Sequence, residues 1–137
     1  MLPTQCLCTQ LRRASRGVSK LYDDALMGVG LNVAQYALLK NLQRLEQPSI
    51  TSLAEALGLE RSTLGRNLRV LEGKGLVALA GGADQRNRLV ALTAQGTTCL
   101  EQALPAWQQV QDQLARRIDP QQKAALLALL DDLETLD

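Results

Sequence analysis

Histidine and phenylalanine are absent from this chain of 137 residues, and aromatic side chains make up only 2% of it. Without histidine there is no zinc site of the histidine type and no usual general base for catalysis near neutral pH. No nucleophile, base and orienting group cluster along the sequence, so an enzyme is not expected, and neither a cofactor nor a metal is called for. Apolar runs are short as well. None approaches the roughly 18 residues of a membrane-spanning helix, and the N-terminus lacks the apolar core of a signal peptide, so a cytoplasmic protein with no membrane partner is expected. Internal repeats and low-complexity tracts are missing. Cys6, Cys8 and Cys99 are an odd set for such a chain, which excludes a structural disulfide framework.

Net charge is also scarce, at a formal +1, and taken whole it argues against a nucleic-acid partner. The charge is segregated, however. From Glu60 to Arg88 there are six basic and three acidic residues, whereas from Ile118 to Asp137 five acidic residues stand against Lys123 alone. A near-neutral total therefore conceals a basic segment suited to phosphate.

That basic segment is the most ordered pattern in the sequence. At about 100° per residue Leu64, Leu68 and Leu71 fall on one side of a helix and pack inward. The opposite side carries Ser62, Gly65, Arg66, Arg69 and Gly73, a surface suited to a major groove. Each arginine has the chemistry either to grip a phosphate or to bond a guanine edge with two hydrogen bonds. Gly65 costs roughly 1 kcal/mol relative to alanine inside a helix, which implies close approach of the backbone to DNA or to the helix beneath. Upstream, Ser52-Leu-Ala-Glu55 has capping-box spacing, with Ser49 as a rival start, and opens a short helix with Leu53, Ala54 and Leu57 inward that ends at Gly58. Two helices meeting at such a turn form a helix-turn-helix.

Beyond Gly73 and Gly75, Leu76–Ala80 and Arg88–Leu92 read as two short strands joined through Gly81-Gly82. Arg86 and Arg88, near the tip of this hairpin, are in reach of a phosphate or a narrow minor groove, and Asp84 serves to orient a neighbouring arginine or to cap the turn. The fold class is therefore mainly α with a small β-hairpin wing.

Arg61-Ser-Thr-Leu-Gly-Arg66, Leu71-Glu-Gly-Lys-Gly-Leu-Val77, Asp84-Gln-Arg86 and Leu92-Thr-Ala-Gln-Gly96 together resemble the MarR-type winged-helix transcriptional regulators, and the likeness spans nearly the whole chain. The resemblance implies that Ser62, Thr63, Arg66 and Arg69 lie on the helix inserted in the major groove, and that Arg86 sits on the wing, steadied by Asp84. With Arg61, Asn67 and Arg88 these residues make the candidate DNA-binding set. The chain departs from the family's common pattern at Gly65, often threonine or serine there, and at Ala78, often charged.

The flanks complete a single domain, 1–137. Leu7, Leu11, Ala14, Val18, Leu21 and Ala25 repeat at steps of four and three, as do Leu100, Ala103, Trp107, Val110 and Leu114. Asp119-Pro-Gln-Gln122 opens a last helix filled by Leu126, Leu127, Leu130 and Leu133. Pro105, inside the long helix, is expected to kink it and free the carbonyl of Glu101. The apolar terminal helices can bury each other within one chain or across a two-fold axis; the two-fold is favoured, because it sets two recognition helices roughly 34 Å apart on a palindromic operator. Segments 1–31 and 93–137 are thus expected to form the dimerisation region of a homodimer, and 32–92 the winged helix-turn-helix that binds double-stranded DNA. The MarR resemblance implies the same dimer and, for most members, release of DNA by small aromatic ligands, on which only Tyr22, Tyr36 and Trp107 could stack here.

Leu7-Cys8, Ala14-Ser15 and Lys20-Leu-Tyr22 further resemble the organic-peroxide-sensing branch, which implies Cys8 as the oxidation site and Tyr22 as its bonding partner. Arg12, one turn from Cys8, would favour the thiolate. Tyr22 lies nearly four turns away, so it can meet Cys8 only from the partner subunit. A free cysteine on an apolar helix is equally a core residue, and a site of three thiolates would need Cys99 beside Cys6 and Cys8. A different class of function is also compatible with the fold, a winged helix used for protein contact alone; apolar residues in place of Ser62, Arg66 and Arg69 would mark it.

Overall fold

Side-chain caps at Asn32, Ser49, Thr93 and Asp119 set where four helices of this chain begin. The computed structural model describes residues 1–81 and 88–136. The first helix, α1 (Leu7–Leu26), ends in a 3-10 turn over Met27–Val29 that is closed by Gly30 in the left-handed region at φ 76°. Asn32 then caps α2 (Val33–Leu45) in a capping box with Gln35. Asp23, on α1, accepts a hydrogen bond from the backbone N–H of Val33 at 2.7 Å, so the end of α1 and the start of α2 are stitched together.

The next helix, α3 (Ile50–Leu57), starts one turn before Ser52. Ser49 is its N-cap and accepts from the Ser52 N–H at 3.1 Å, while the Leu53 N–H already bonds the Ser49 carbonyl. A capping box at Ser52 is therefore not formed, because that residue lies inside the first helical turn and not on the extended backbone a cap requires. Gly58, at φ 65°, ends α3 as expected.

Helix α4 (Arg61–Gly73) buries Leu64, Leu68 and Leu71 completely or nearly so. It leads into β1 (Val77–Ala80), which pairs antiparallel with β2 (Leu89–Leu92) in the register Val77 to Leu92 and Leu79 to Val90. The other edge of β2 is not bare. Val90 N–H bonds the Pro48 carbonyl, Ile50 N–H bonds the Arg88 carbonyl, and Ser49 bridges Leu89, so the segment before α3 supplies a third short edge.

The longest helix, α5 (Ala94–Arg117), is capped by Thr93, whose hydroxyl accepts from the Gly96 N–H and donates to the Gly75 carbonyl at 2.6 Å. Gly96 packs against the Leu76 carbonyl and the Leu92 side chain so closely that no Cβ fits there. The helix runs on through Pro105, which is exposed. Helix α6 (Pro120–Glu134) opens on the capping box of Asp119 and Gln122 with Pro120 in its first turn.

The core is one cluster that includes Leu38 and Leu39 of α2, Leu53 of α3, Leu68 and Leu71 of α4 and Ala103 of α5. Burial at such sites stabilises by about 1.5–3 kcal/mol for each leucine. The two ends of the chain stand outside it. α1 buries only Leu26, and α6 buries no residue. Among the described residues no helix is long and apolar enough to cross a membrane.

Candidate nucleic-acid interface

Three buried leucines on one side of α4 determine what the other side shows. With Leu64, Leu68 and Leu71 seated in the core, Arg61, Ser62, Arg66 and Arg69 are exposed, and Thr63 and Asn67 flank them half-buried. Among the described residues, no hydrogen bond or ion pair engages the three arginines; the ion pair present there is Lys20 with Asp24, on α1. A guanidinium group left in water without a partner keeps all five donors for an incoming acceptor.

Gly65 resolves one alternative raised by the sequence. A Cβ at this position would meet nothing within 4 Å, so no neighbouring helix demands glycine here. The same holds at Gly73. Glycine on this face is thus an opening toward solvent. The N-terminus of α4 is open as well, since Glu60 occupies the N-cap position with no side-chain cap hydrogen bond, leaving the first N–H groups to face outward with the positive end of the helix dipole.

On the wing, Asp84 and Arg86 lie outside the described residues. Arg88 immediately precedes β2 and is half-buried, its carbonyl held by Ile50 N–H, so it is less open than the arginines of α4.

The residues proposed for sensing are distributed differently. Cys6 and Cys8 are exposed and Cys99 is buried. Among the described residues no three cysteine, histidine or acid side chains gather in a way that could hold a metal ion, so the three thiols do not form a site within the protomer. Cys8 lines a cavity of about 670 Å³ between α1 and α6, together with Leu7, Leu11, Leu133, Arg12 and Arg16. Cys6, not Cys8, occupies the N-cap of α1. It makes no cap hydrogen bond of ordinary geometry, yet the Thr9 hydroxyl, and less strongly the Thr9 N–H, hold its thiol below the usual pKa. The sequence signal for this was a small polar residue, Thr9, one turn beyond the cysteine.

Tyr22 donates its hydroxyl to the side-chain carbonyl of Gln111 on α5, and burial pushes its pKa up, so it remains a protonated donor. It also lines a second cavity of about 310 Å³ with Val18, Leu114, Ile118 and Leu126. Tyr36 and Trp107 stack on each other with centroids 5.7 Å apart. Tyr36 is buried, so it is a core residue and not a platform for a ligand.

This architecture has many relatives. A profile of the MarR family matches residues 29–87. The transcriptional regulator HosA of Escherichia coli is 30% identical over 103 residues, which cover 73% of this chain and 75% of HosA. Among solved structures, the Mycobacterium tuberculosis transcriptional regulator MosR in complex with DNA is 34% identical, with a TM-score of 0.82 over 95% of this chain and 97% of MosR. The transcriptional repressor CouR bound to a 23-mer DNA duplex is 26% identical, with a TM-score of 0.84 over 96% of this chain and 94% of CouR.

Proposed function

Because this chain belongs to the MarR family of transcriptional regulators, we propose that it is a sequence-specific DNA-binding repressor acting as a cytoplasmic homodimer on a palindromic operator. The observation that carries this reading is the outer face of α4. Arg61, Ser62, Arg66 and Arg69 stand in solvent on a helix whose opposite side is locked into the core, and Gly65 leaves room for a partner to come close. Phosphate contacts supply most of the affinity, and base contacts from Arg66 and Arg69 supply discrimination. A protein-docking version of the fold would place apolar side chains here. MosR and CouR, at 34% and 26% identity, have each been solved on DNA, which supports the same use of this face.

The dimer follows from the ends of the chain. Leu126, Leu127 and Leu129 of α6 stay 42%, 50% and 60% exposed, and Leu7 and Val18 of α1 are exposed beside them. A second copy that covers these faces places two α4 helices about one DNA turn apart, roughly 34 Å.

For the signal, a small apolar or aromatic molecule fits the cavities against α6, and an organic hydroperoxide is the version that uses the thiol. The cavity at Cys8 joins leucine walls to the guanidinium groups of Arg12 and Arg16, which suits an apolar tail with a polar head. The Cys8 thiolate would attack the distal peroxide oxygen; the O–O bond breaks, the alkoxide leaves and takes a proton, and cysteine sulfenic acid remains. Tyr22 would have to leave Gln111 to bond the partner's cysteine. No catalytic turnover is assigned to the protein; it acts by binding.

Titration onto DNA from upstream of its own gene tests this reading. Affinity should fall steeply with salt, and Arg66→Ala should both weaken binding and loosen discrimination between operators. Arg86→Ala should weaken all sequences alike and flatten the salt slope by about 0.9 for each phosphate no longer neutralised. Unchanged affinity in both variants at physiological salt would overturn the assignment. Organic hydroperoxide should release the wild type and leave Cys8→Ser bound; equal release removes Cys8 as the sensor.

A further inference from the structure

The end of the recognition helix is tied to the rest of the chain by a set of bonds that the DNA-binding reading does not use. After Gly73 the chain turns through Lys74 and then Gly75, which has φ 76°. The Lys74 N–H bonds the Val70 carbonyl and the Leu76 N–H bonds the Leu71 carbonyl, so the turn is rigid in its own right. From it, Lys74 Nζ reaches back 44 residues to donate to the Gly30 carbonyl at 2.5 Å.

Gly30 closes the elbow between α1 and α2. The preceding carbonyl, that of Val29, accepts the thiol of Cys99 from α5 at 3.7 Å. Burial raises the Cys99 thiol pKa and the charge of Lys74 offsets part of that rise, which places the ammonium near the thiol. On the far side of the turn, the Thr93 hydroxyl bonds the Gly75 carbonyl, and the Thr93 N–H bonds the Leu76 carbonyl, at the start of α5. The last turn of α4 is therefore clamped between α5 and the elbow of α1, the two long helices that pack along each other.

One member of this clamp differs from the rest. The Thr93 bonds tie the turn to the start of α5, whereas the Lys74 bond ties it to the α1 elbow, through an exposed and flexible side chain. A cation held on a carbonyl is also a cation kept from phosphate.

We propose that Lys74 is a positioning residue for operator specificity: its bond to the Gly30 carbonyl holds the recognition helix at a set angle to α1 and α5, and so sets the half-site separation that a dimer reads. This rests on the DNA-binding dimer proposed above. Removal of the bond lets the α1 elbow shift against the end of α4, and a dimer whose reading heads shift against their dimerisation helices accepts operators of the wrong spacing.

Two measurements on the full chain test it. In DNA-free protein, Lys74→Met should speed amide hydrogen exchange at Gly30 and Leu31, whose N–H groups bond Met27 and Leu26, at least several-fold, with Lys74→Arg restoring protection. On DNA, the probes are duplexes selected by the wild type from a randomised pool, and the same duplexes with one or two base pairs inserted between half-sites. Lys74→Met should lose about tenfold of the preference for native spacing while the salt slope stays within about 0.5 of wild type, since the number of neutralised phosphates does not change. Lys74→Arg should recover that preference. Unchanged exchange at the elbow overturns the latch. An equal drop on all spacings with a flatter salt slope overturns it too, and makes Lys74 a phosphate ligand. Should the wild type select no duplex, the DNA-binding reading fails, and the exchange experiment still decides whether the latch exists.

Discussion

Helices α4 and α6 carry leucines at the same helical spacing and put them to opposite use. In α4, Leu64, Leu68 and Leu71 are at most 1% exposed, whereas in α6, at the same steps, Leu126 remains 42% exposed and Leu130 and Leu133 are only half-buried. Periodicity is identical in kind; what differs is whether the rest of the chain provides a surface to meet it. The inner face of α4 is filled by its own chain, so its outer face has a definite direction. The apolar face of α6 has no such filling within the single chain, in which no residue of that helix is fully buried. A buried stripe thus tells how a helix is aimed, and an exposed one leaves a face that the proposed dimer would cover.

The contrast can be broken from either side. The largest effect is expected at Leu68→Ala, which opens a cavity in a filled core and should cost about 2–5 kcal/mol in denaturant unfolding. Leu127→Asp, by contrast, should leave each protomer's core intact, shift sedimentation toward monomer and weaken binding to a palindromic duplex by about a hundredfold, or ~2.7 kcal/mol. If Leu127→Asp sediments as wild type does, α6 is not the dimer face. Gly96→Ala comes next. A methyl group there overlaps the Leu76 carbonyl, and overpacking of this kind should cost about 1–3 kcal/mol, read as a lower midpoint in urea. The smallest effect has the opposite sign: Gly65→Ala enters open space and should stabilise α4 by up to about 1 kcal/mol. The same variant should weaken DNA binding, because the methyl group stands where a groove wall would approach. Gain of stability at undiminished affinity would show that Gly65 does not face DNA.

Much of this was legible before the structure. The leucine stripe of α4, the paired strands on either side of the glycines and the Asp119-Pro120 start of α6 all follow from neighbours within a turn or two, because periodicity and capping are local effects. Ser49 and Ser52 show the limit of that reading. Both have cap chemistry, and the choice between them rests on Ser49 being held in extended form beside Leu89, with Pro48 and Ile50 bonded to the backbone of Val90 and Arg88. Cys6 shows it again, since the Thr9 hydroxyl that lowers its thiol pKa is brought to it by the first turn of α1. Tyr36 and Trp107, both open to a ligand on paper, are stacked on each other in the folded chain.

Residue order along the chain was enough to mark α1 and α3 to α6, which side of α4 turns outward and where basic charge collects, whereas α2 went unread although Asn32 and Gln35 cap it. Those features depend on spacings of a few residues, over which backbone geometry leaves little choice. Only the tertiary structure decided that Lys74 holds the Gly30 carbonyl across 44 residues and that Tyr22 bonds Gln111 across 89. Such pairings have no local signature: each polar group could have met water instead, and collapse of the apolar core is what brings it to the one partner within reach.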